Sequence, residues 1–515
     1  MSDPQHFDVL IIGAGLSGIG AAWHLQSLCP GRTYAVLEGR DAIGGTWDLF
    51  RYPGVRSDSD MFTLGYRFRP WRDPKAIADG PSIKAYIEET AREAGIDRHI
   101  RFGHRVVRLA WSSETARWTV DCELGPERRP ARFTCGFVHG CTGYYRYSAG
   151  YTPDFPGLAR FRGRVVHPQH WPEGLAYAGR RVVVIGSGAT AVTLVPAMAT
   201  GPAAAAHVTM LQRSPTYVAA LPSEDRLANL FRRLLPERLA YALSRWKNIL
   251  RSQFFYVLAR RAPDLFKAAL ARGAEEVLGA GHPWAPHFTP RYQPWDERLC
   301  IIPDSDLFHA LQGGRASVVT DTIATFDETG IRLASGAHLE ADLVVTATGL
   351  VVSILDGIAL EVDGAPVALR ETLAYKGMMF SGVPNLVASF GYTNASWTLK
   401  CDLVAEHTCR LLRHMAEHRY VQVTAVRDPS MPDEPVLDFT SGYVQRALPT
   451  LPRQGVRAPW RLNQNYVLDL ALLRWARVDD PALEFRRGVP VASGPEAGEG
   501  AATPGPGVRE AISHG

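Results

Sequence analysis

The sequence has little that would tie it to nucleic acid, to a metal or to secretion. Its 56 Lys and Arg stand against 52 Asp and Glu, a net charge of +4 over 515 residues. That surplus is too small to hold a phosphate backbone, so no nucleic-acid partner is expected. The seven cysteines, Cys29, Cys122, Cys135, Cys141, Cys300, Cys401 and Cys409, are odd in number and form no C-x-x-C pair. No His/Cys cluster has ligand spacing either, so no metal site is expected, and free thiols in a reducing cytoplasm are the simple reading. No run of about 18 uncharged apolar residues exists, so no segment is expected to span a membrane. The opening MSDPQHFDVLIIGAG has an acid but no Lys or Arg ahead of its apolar run. It does not read as a secretory signal.

What is present is ordinary for a globular protein: 46% hydrophobic and 21% charged residues, enough for sizeable cores. At roughly 100–200 residues per domain, the length suggests about three lobes. FDVLII, from Phe7 to Ile12, is a short apolar run with a Gly-rich end and reads as a buried parallel strand. A helix is expected near Ser17–Gln26, then a strand TYAVLE ending at Glu38. About 170 residues later the grammar repeats: RVVVIG (181–186) as strand, ATAVTLVPAMA as helix, HVTMLQR as strand. Between Pro222 and about Thr289 apolar residues fall at helical spacing among many arginines. This reads as a helical insertion. It is either a solvated layer over the second unit or a basic amphipathic surface for peripheral membrane contact. ASVVT at Ala316 and DLVVTATG at Asp342 return the chain to strand, and residues from Gly488 on are rich in Gly, Pro and Ala, which suggests a disordered tail.

The two repeated units differ in what they should bind. Gly13, Gly15 and Gly18 form G-x-G-x-x-G directly after a strand, with Glu38 lying 20 residues past Gly18. The glycines allow a tight turn, close approach of a pyrophosphate to the helix N-terminus, and close helix–strand packing. A carboxylate at Glu38 would accept ribose hydroxyls and repel a 2′-phosphate, so this site suits FAD or NAD. In the second unit Gly186, Gly188 and Ala191 form G-x-G-x-x-A, and its second strand ends in Gln212-Arg213-Ser214. An arginine there can pair with a 2′-phosphate, so this site should take NADPH; a surface arginine without a ligand is the alternative. Opposite ribose chemistry implies two cofactors held together, with FAD and NADPH the economical pair.

Phe161, Gly163, His167, Trp171 and Pro172 spell F-x-G-x-x-x-H-x-x-x-W-P within FRGRVVHPQHWP, a segment too polar for a core strand. This resembles the fingerprint of Baeyer–Villiger monooxygenases, class B flavoprotein monooxygenases. Gly44, Gly45, Trp47, Tyr52, Pro53, Gly54 and Asp58, in GGTWDLFRYPGVRSD, are similar to the longer signature of that family. The similarity runs to about Arg487. GGTWDLFRYPG, RSDSDMFTLG, GSGATAVTLVP, VTMLQRSPTY, AYKGMM and GYTNASWTLK resemble most the thioamide-activating (ethionamide-activating) branch. The resemblance implies an α/β fold of two Rossmann-like dinucleotide-binding domains with a helical insertion. FAD would occupy 1–148 and 343–487, NADP 149–221 and 290–342, the insertion 222–289 and the tail 488–515. It implies hydride transfer from NADPH to FAD, reaction of the reduced flavin with O2 to a C4a-peroxide, and insertion of one oxygen atom into a ketone to give an ester or lactone. The fingerprint linker would then couple domain motion to the active site.

The same resemblance assigns residues. Arg298, in PWDERLCIIP, matches the family's fixed cation, and Asp58 the carboxylate that orients it. Read by themselves, Arg298 could be a surface ion-pair residue and Asp58 a helix cap. Thr46, Trp47, Asp48, Leu49 and Asp58 should lie along the flavin with Ser17, and Val106 at its adenine end. Arg56 and Ser57 should approach the nicotinamide. Ser187, Gly188, Ala189, Thr190, Ala191, Val192 and Thr193 should wrap the NADP pyrophosphate, with Arg213 and Ser214 at the 2′-phosphate. Asn394 and Trp397 should face flavin or substrate. Many family members carry Lys where this chain has Glu297, which leaves more of the 2′-phosphate recognition to Arg213 and Ser214. Three rivals stand beside this reading. A flavin disulfide reductase would need a C-x4-C dithiol in the first helix, and none is there. An N- or S-oxygenase without ketone activity, and a non-catalytic flavin-binding homologue, remain open. The substrate class is a small ketone or sulfur compound, weakly favoured as apolar by the abundant aromatics.

Overall fold

Two sheets carry the two repeated units, and their central parallel strands are buried over most of their length. The structure, a computed structural model, describes residues 4–279 and 282–488. Apart from Gly488, the expected tail lies outside the described residues. In the first unit β1 (Gln5–Ile12) leads into α1 (Leu16–Leu28) and β2 (Tyr34–Leu37). β1 pairs in parallel with β2 on one side and with the strand Arg129–Gly140 on the other. Leu10 and Ile11 are fully buried. The sheet has nine strands, because an antiparallel meander, His104–Ser112, Arg117–Leu124 and Arg129–Gly140, extends it beyond β1.

In the second unit β3 (Arg181–Ile185), α2 (Ala189–Ala199) and β4 (His207–Gln212) repeat the pattern. The sheet order is Ala316–Thr320, β4, β3, Leu343–Thr346, Arg164–Val166, all parallel. This moves one expected boundary. Leu343–Thr346 is bonded on both sides within the second sheet, so the chain leaves that unit after Thr346 rather than at 342. The fingerprint segment holds a strand after all, but an edge one: Arg164 and Val165 are exposed and only Val166 is buried. An edge strand tolerates this polarity because one side meets solvent.

The insertion contains the helices Arg226–Leu234, α3 (Glu237–Arg261) and Pro263–Leu278. It does not lie over the second unit alone. Ala274 and Leu278 join the core of the second unit, whereas Tyr241 and Ile249 of α3 join the core of the first. Arg245 explains the docking of α3. It is only 4% exposed and donates to the carbonyls of Phe62 at 2.8 Å and Gly65 at 2.7 Å. These carbonyls end the short helix Met61–Leu64, where backbone acceptors lack intrahelical donors. Asp402, on α4 (Trp397–Glu417), stands 3.4 Å from the same guanidinium. α4 packs along α1 and backs the first glycine loop.

Candidate active site

A cavity of about 560 Å³ runs between the two glycine loops. Gly15 and Ser17 line it at one end, and Gly186, Ser187, Gly188, Ala189, Thr190 and Thr193 at the other. The glycines of the two loops do not all act alike. Gly13 has φ +103°, and a Cβ there would sit 2.5 Å from the Cys141 carbonyl oxygen. A Cβ on Gly18 would lie 1.8 Å from the Gly13 oxygen, so helix and strand could not approach. Gly186 repeats the first case, with φ +137° and Ala347 O at 2.3 Å. A Cβ on Gly188, by contrast, would meet nothing within 4 Å. The fold has no steric need of a glycine there, and the bare backbone at the cavity wall leaves room for a ligand's phosphates.

Glu38 is 5% exposed. Its carboxylate accepts the backbone N–H of Ala14 at 2.7 Å and of Arg40 at 2.8 Å. Burial raises its pKa, and these two donors and Arg40 act against that. Each oxygen keeps a second lone pair, so the carboxylate can accept from a ribose diol at the end of β2. Together with the turn made by Gly13 and the close helix–strand packing at Gly18, this fits a dinucleotide at the first loop.

Arg298 and Asp58 meet inside the cavity. Arg298 Nε lies 4.0 Å from Asp58 Oδ2, with the side chains 37% and 19% exposed. Burial works against the Arg298 charge, but Tyr144, Asp58 and Tyr443 hold its pKa above the ordinary value. It is a permanent cation. Burial raises the Asp58 pKa, opposed by Arg298 and then Arg56. Arg56 lines the cavity too, with its guanidinium clamped by Asp306 at 2.5 Å. Ser57 also lines it and turns its hydroxyl to the Ser59 carbonyl at 2.7 Å. Thr46 and Trp47 line the first-loop end, where Thr46 accepts the Tyr145 hydroxyl at 2.5 Å. Trp397 lines the cavity and donates from Nε1 to Ser17 Oγ at 3.0 Å.

Other expected contacts do not reach the cavity. Asp48 is 2% exposed and forms ion pairs with Arg40, Arg51 and Lys84. Burial would raise its pKa, but the bonds from Arg40 and Lys84 lower it, so Asp48 ties loops together. Leu49 is buried, and the Val106 side chain sits in the core cluster that includes Leu37 and Cys122. Their apolar side chains gain more from the core than from a polar ligand. Ala191 and Val192 are fully buried on the inner face of α2. Asn394 is pinned by its amide to the Gln464 carbonyl at 2.8 Å.

At the second loop, Arg213 is exposed and lines the cavity. Ser214 does not. It accepts the Ser187 hydroxyl through its carbonyl at 3.2 Å, and Thr216, which bonds Ser187 Oγ at 2.7 Å, takes the lining position. Gln212 turns inward to the His287 carbonyl and Thr320. Glu297 lines the same end. Burial raises its pKa, with Arg213 acting in the opposite direction.

The fingerprint segment does not line the cavity but bonds to two residues that do: Gln169 donates to the Tyr147 carbonyl at 3.0 Å, and His167 reaches Gly349. His167 accepts the N–H of Gln169 at Nδ1, 3.2 Å, which leaves Nε2 to donate to the Gly349 carbonyl at 3.3 Å. Gly349 lines the cavity. Burial lowers the His167 pKa, so it stays neutral. Its ring lies where a Cβ on Gly150 would be, at 2.0 Å. Phe161 packs over Gly163 in the same way, its ring 2.3 Å from the position of a Cβ. Trp171 packs against the second core and is followed by Pro172.

Several lining residues carry no motif. Tyr144, Tyr145 and Tyr147 come from one short loop, and Tyr443 and Arg446 from a segment near the end of the described chain. Tyr144 stacks on Trp397 with ring centroids 4.8 Å apart. The string YYRY was a visible signal; Tyr443, Arg446 and Thr216 had none. The set gives a cavity with aromatic walls that reaches both glycine loops, lined by the cations Arg56, Arg213, Arg298 and Arg446 and by the carboxylates Asp58 and Glu297.

Comparison with known proteins agrees with this layout. Residues 74–255 match the family described as flavin-binding monooxygenase-like, and residues 11–73 match an NAD(P)-binding Rossmann-like domain. The chain is 52% identical over 488 residues to the FAD-containing monooxygenase EthA of Mycolicibacterium smegmatis, covering 94% of this chain and 98% of that one. It is 48% identical over 483 residues to the probable FAD-binding monooxygenase AlmA of Acinetobacter baylyi, covering 93% and 96%. Among solved structures, an oxidised steroid monooxygenase bound to NADP superposes with a TM-score of 0.72 at 22% identity, covering 94% and 100%. Cyclohexanone monooxygenase from Rhodococcus sp. Phi1 bound to NADP+ gives 0.69 at 19%, covering 94% and 100%. At these identities the structural likeness shows a shared fold.

Proposed function

Because the chain belongs to the family of FAD-containing monooxygenases, we propose that it uses FAD and NADPH to insert one atom of O2 into a ketone, giving an ester or lactone. The balance is ketone, O2, NADPH and one proton to ester, NADP+ and water. The observation that carries this reading is the Arg298–Asp58 pair, 4.0 Å apart in a cavity that reaches both glycine loops.

The chain's own residues have separable tasks. The first loop (Gly13, Gly15, Gly18) and Glu38 hold FAD, with Thr46, Trp47 and Ser17 alongside. The second loop and Arg213 hold NADPH. Held at the first loop, FAD would supply hydride uptake from the nicotinamide and activation of dioxygen. Arg298 offers several donors and a charge that cannot be lost, which suits it to stabilise negative charge on the reacting oxygens. Asp58 keeps that guanidinium in place. Tyr144, Tyr145, Phe390, Trp397 and Tyr443 wall the cavity and keep water from the reacting atoms. Neutral His167 ties the linker to Gly349 and is a coupling element rather than an acid–base catalyst.

The same site can oxidise the sulfur of thioamides or sulfides, since the aromatic walls accept either apolar substrate. The seven buried, unpaired cysteines fit a reducing cytoplasm. The test is mass spectrometry of products from purified protein with FAD, NADPH, air, a panel of linear and aromatic methyl ketones, and a thioether. Ester that disappears in Arg298→Ala supports the reading. Sulfoxide without any ester assigns the protein to sulfur oxygenation alone. No NADPH consumption with any substrate would mark a non-catalytic flavin binder.

A further inference from the structure

The helical insertion leaves an apolar stripe without a partner. On α3, Leu239, Leu243, Trp246, Leu250 and Phe254 are 48%, 41%, 41%, 55% and 62% exposed. They are spaced four, three, four and four residues apart, one face of a helix. The helix before it adds Leu227, Leu230 and Leu234, the last 71% exposed. Scattered exposed apolar residues are normal, but eight large ones on one pair of adjacent helices form a patch.

The charge on the same helices is one-sided. Between Arg226 and Arg261 lie eight arginines and one lysine against one acid, Glu237. Some are used internally: Arg245 is buried, Lys247 pairs with Asp225, Arg260 pairs with Asp296, and Arg232 holds backbone carbonyls. Arg226, Arg233, Arg238, Arg251 and Arg261 are exposed and make no ion pair among the described residues. A second copy of this chain would bring the same five cations against each other. An anionic lipid surface complements both the charge and the apolar stripe. No described helix is long and apolar enough to cross a membrane, so the helices would lie in the plane of the interface.

We infer that the face formed by Arg226–Leu234 and α3 docks the protein on an anionic lipid bilayer, with the leucine stripe and Trp246 in the acyl boundary and the arginines at the headgroups. The docked face is linked to the cavity wall through side-chain contacts. Trp246 contacts Tyr466 with centroids 5.9 Å apart. Just before Tyr466, Gln464 accepts from Thr393, a cavity-lining residue, at 3.0 Å. The inference goes beyond the proposed reaction and stands on surface chemistry alone.

The test is vesicle flotation of the purified full-length flavoprotein with phosphatidylcholine alone and with phosphatidylcholine plus phosphatidylglycerol. The protein is expected to float with the phosphatidylglycerol vesicles and to be released by high salt. Leu250→Gln with Phe254→Gln should lower binding by about tenfold or more. Arg233→Glu with Arg238→Glu should remove the preference for phosphatidylglycerol. All four side chains are exposed, so flavin absorbance and melting temperature should stay unchanged and show that the variants fold. Failure of the unaltered protein to float, or flotation of both variants like the unaltered protein, overturns the inference. So does a dimer in sedimentation analysis that Leu250→Gln with Phe254→Gln breaks, since the face would then belong to a second copy.

Discussion

Replacing Asp58 with Asn should slow ester formation about ten- to thirtyfold. Two unit charges at 4 Å attract by about 4 kcal/mol at an effective dielectric of about 20. The Asp58–Arg298 distance is 4.0 Å, but Arg298 is 37% exposed. Solvent screening then leaves less than half of that, about 1.5–2 kcal/mol, to orient the guanidinium. At about 1.4 kcal/mol per tenfold, the stated loss follows. Arg298→Ala removes the donor itself, and comparable oxyanion donors are worth about 10²–10³ in rate. Asp58 acts through Arg298, so the double variant should be no slower than Arg298→Ala alone. The assay is ester formation at saturating NADPH, with kcat and KM separated and product compared with NADPH consumed. The pH profile is a second readout. Burial raises the Asp58 pKa in the folded protein, and the carboxylate must be charged to hold Arg298. Activity should therefore fall as pH drops through a value above the ordinary carboxylate range, and that limb should vanish in Asp58→Asn. If Asp58→Asn costs as much in the Arg298→Ala background as alone, the two act independently and the reasoning fails.

Glu297→Lys should raise the NADPH-over-NADH ratio of kcat/KM and tighten NADP+ binding by about tenfold, since a carboxylate at the 2′-phosphate end is replaced by a cation; no change in the titrated NADP+ affinity would mean that Glu297 does not face that phosphate. Gly18→Ala should yield protein without flavin absorbance, because the new Cβ would lie 1.8 Å from Gly13 O. Gly188→Ala should keep its flavin and melting temperature, with nothing within 4 Å of the new Cβ, while NADP+ binding weakens; equal flavin content in both variants would contradict the steric reading. Arg245→Met should lower stability by about 3 kcal/mol or more, seen as a lower melting temperature, because Asp402 and two helix-end carbonyls lose a buried partner.

Much of the fold was legible because buried parallel strands and glycine loops are local. FDVLII and RVVVIG are short apolar runs whose strand character needs no distant partner, and the expected helix at ATAVTLVPAMA coincides with Ala189–Ala199. The boundary near residue 342 was misplaced because DLVVTATG looks the same in either sheet. Only its pairing with Arg181–Ile185 and Arg164–Val166 assigns it. The side on which the insertion packs was hidden for a similar reason. Arg245 reads as one more arginine until the carbonyls of Phe62 and Gly65 are beside it. In the site, Asp48 lies in a motif-bearing segment but turns away from the cavity, since a motif does not say which face of its element is occupied.

By itself the sequence determined the two dinucleotide loops, their opposite charges at Glu38 and Arg213, and the candidates Arg298 and Asp58. The loops and their charges rest on residue type at short spacing, and Arg298 and Asp58 on the family resemblance. The tertiary structure decided what 240 residues of separation conceal: that Arg298 faces Asp58, that Asp306 clamps Arg56, and that Tyr144, Trp397 and Tyr443 close one cavity. Such contacts depend on how two sheets and an insertion pack together, and no local pattern encodes that.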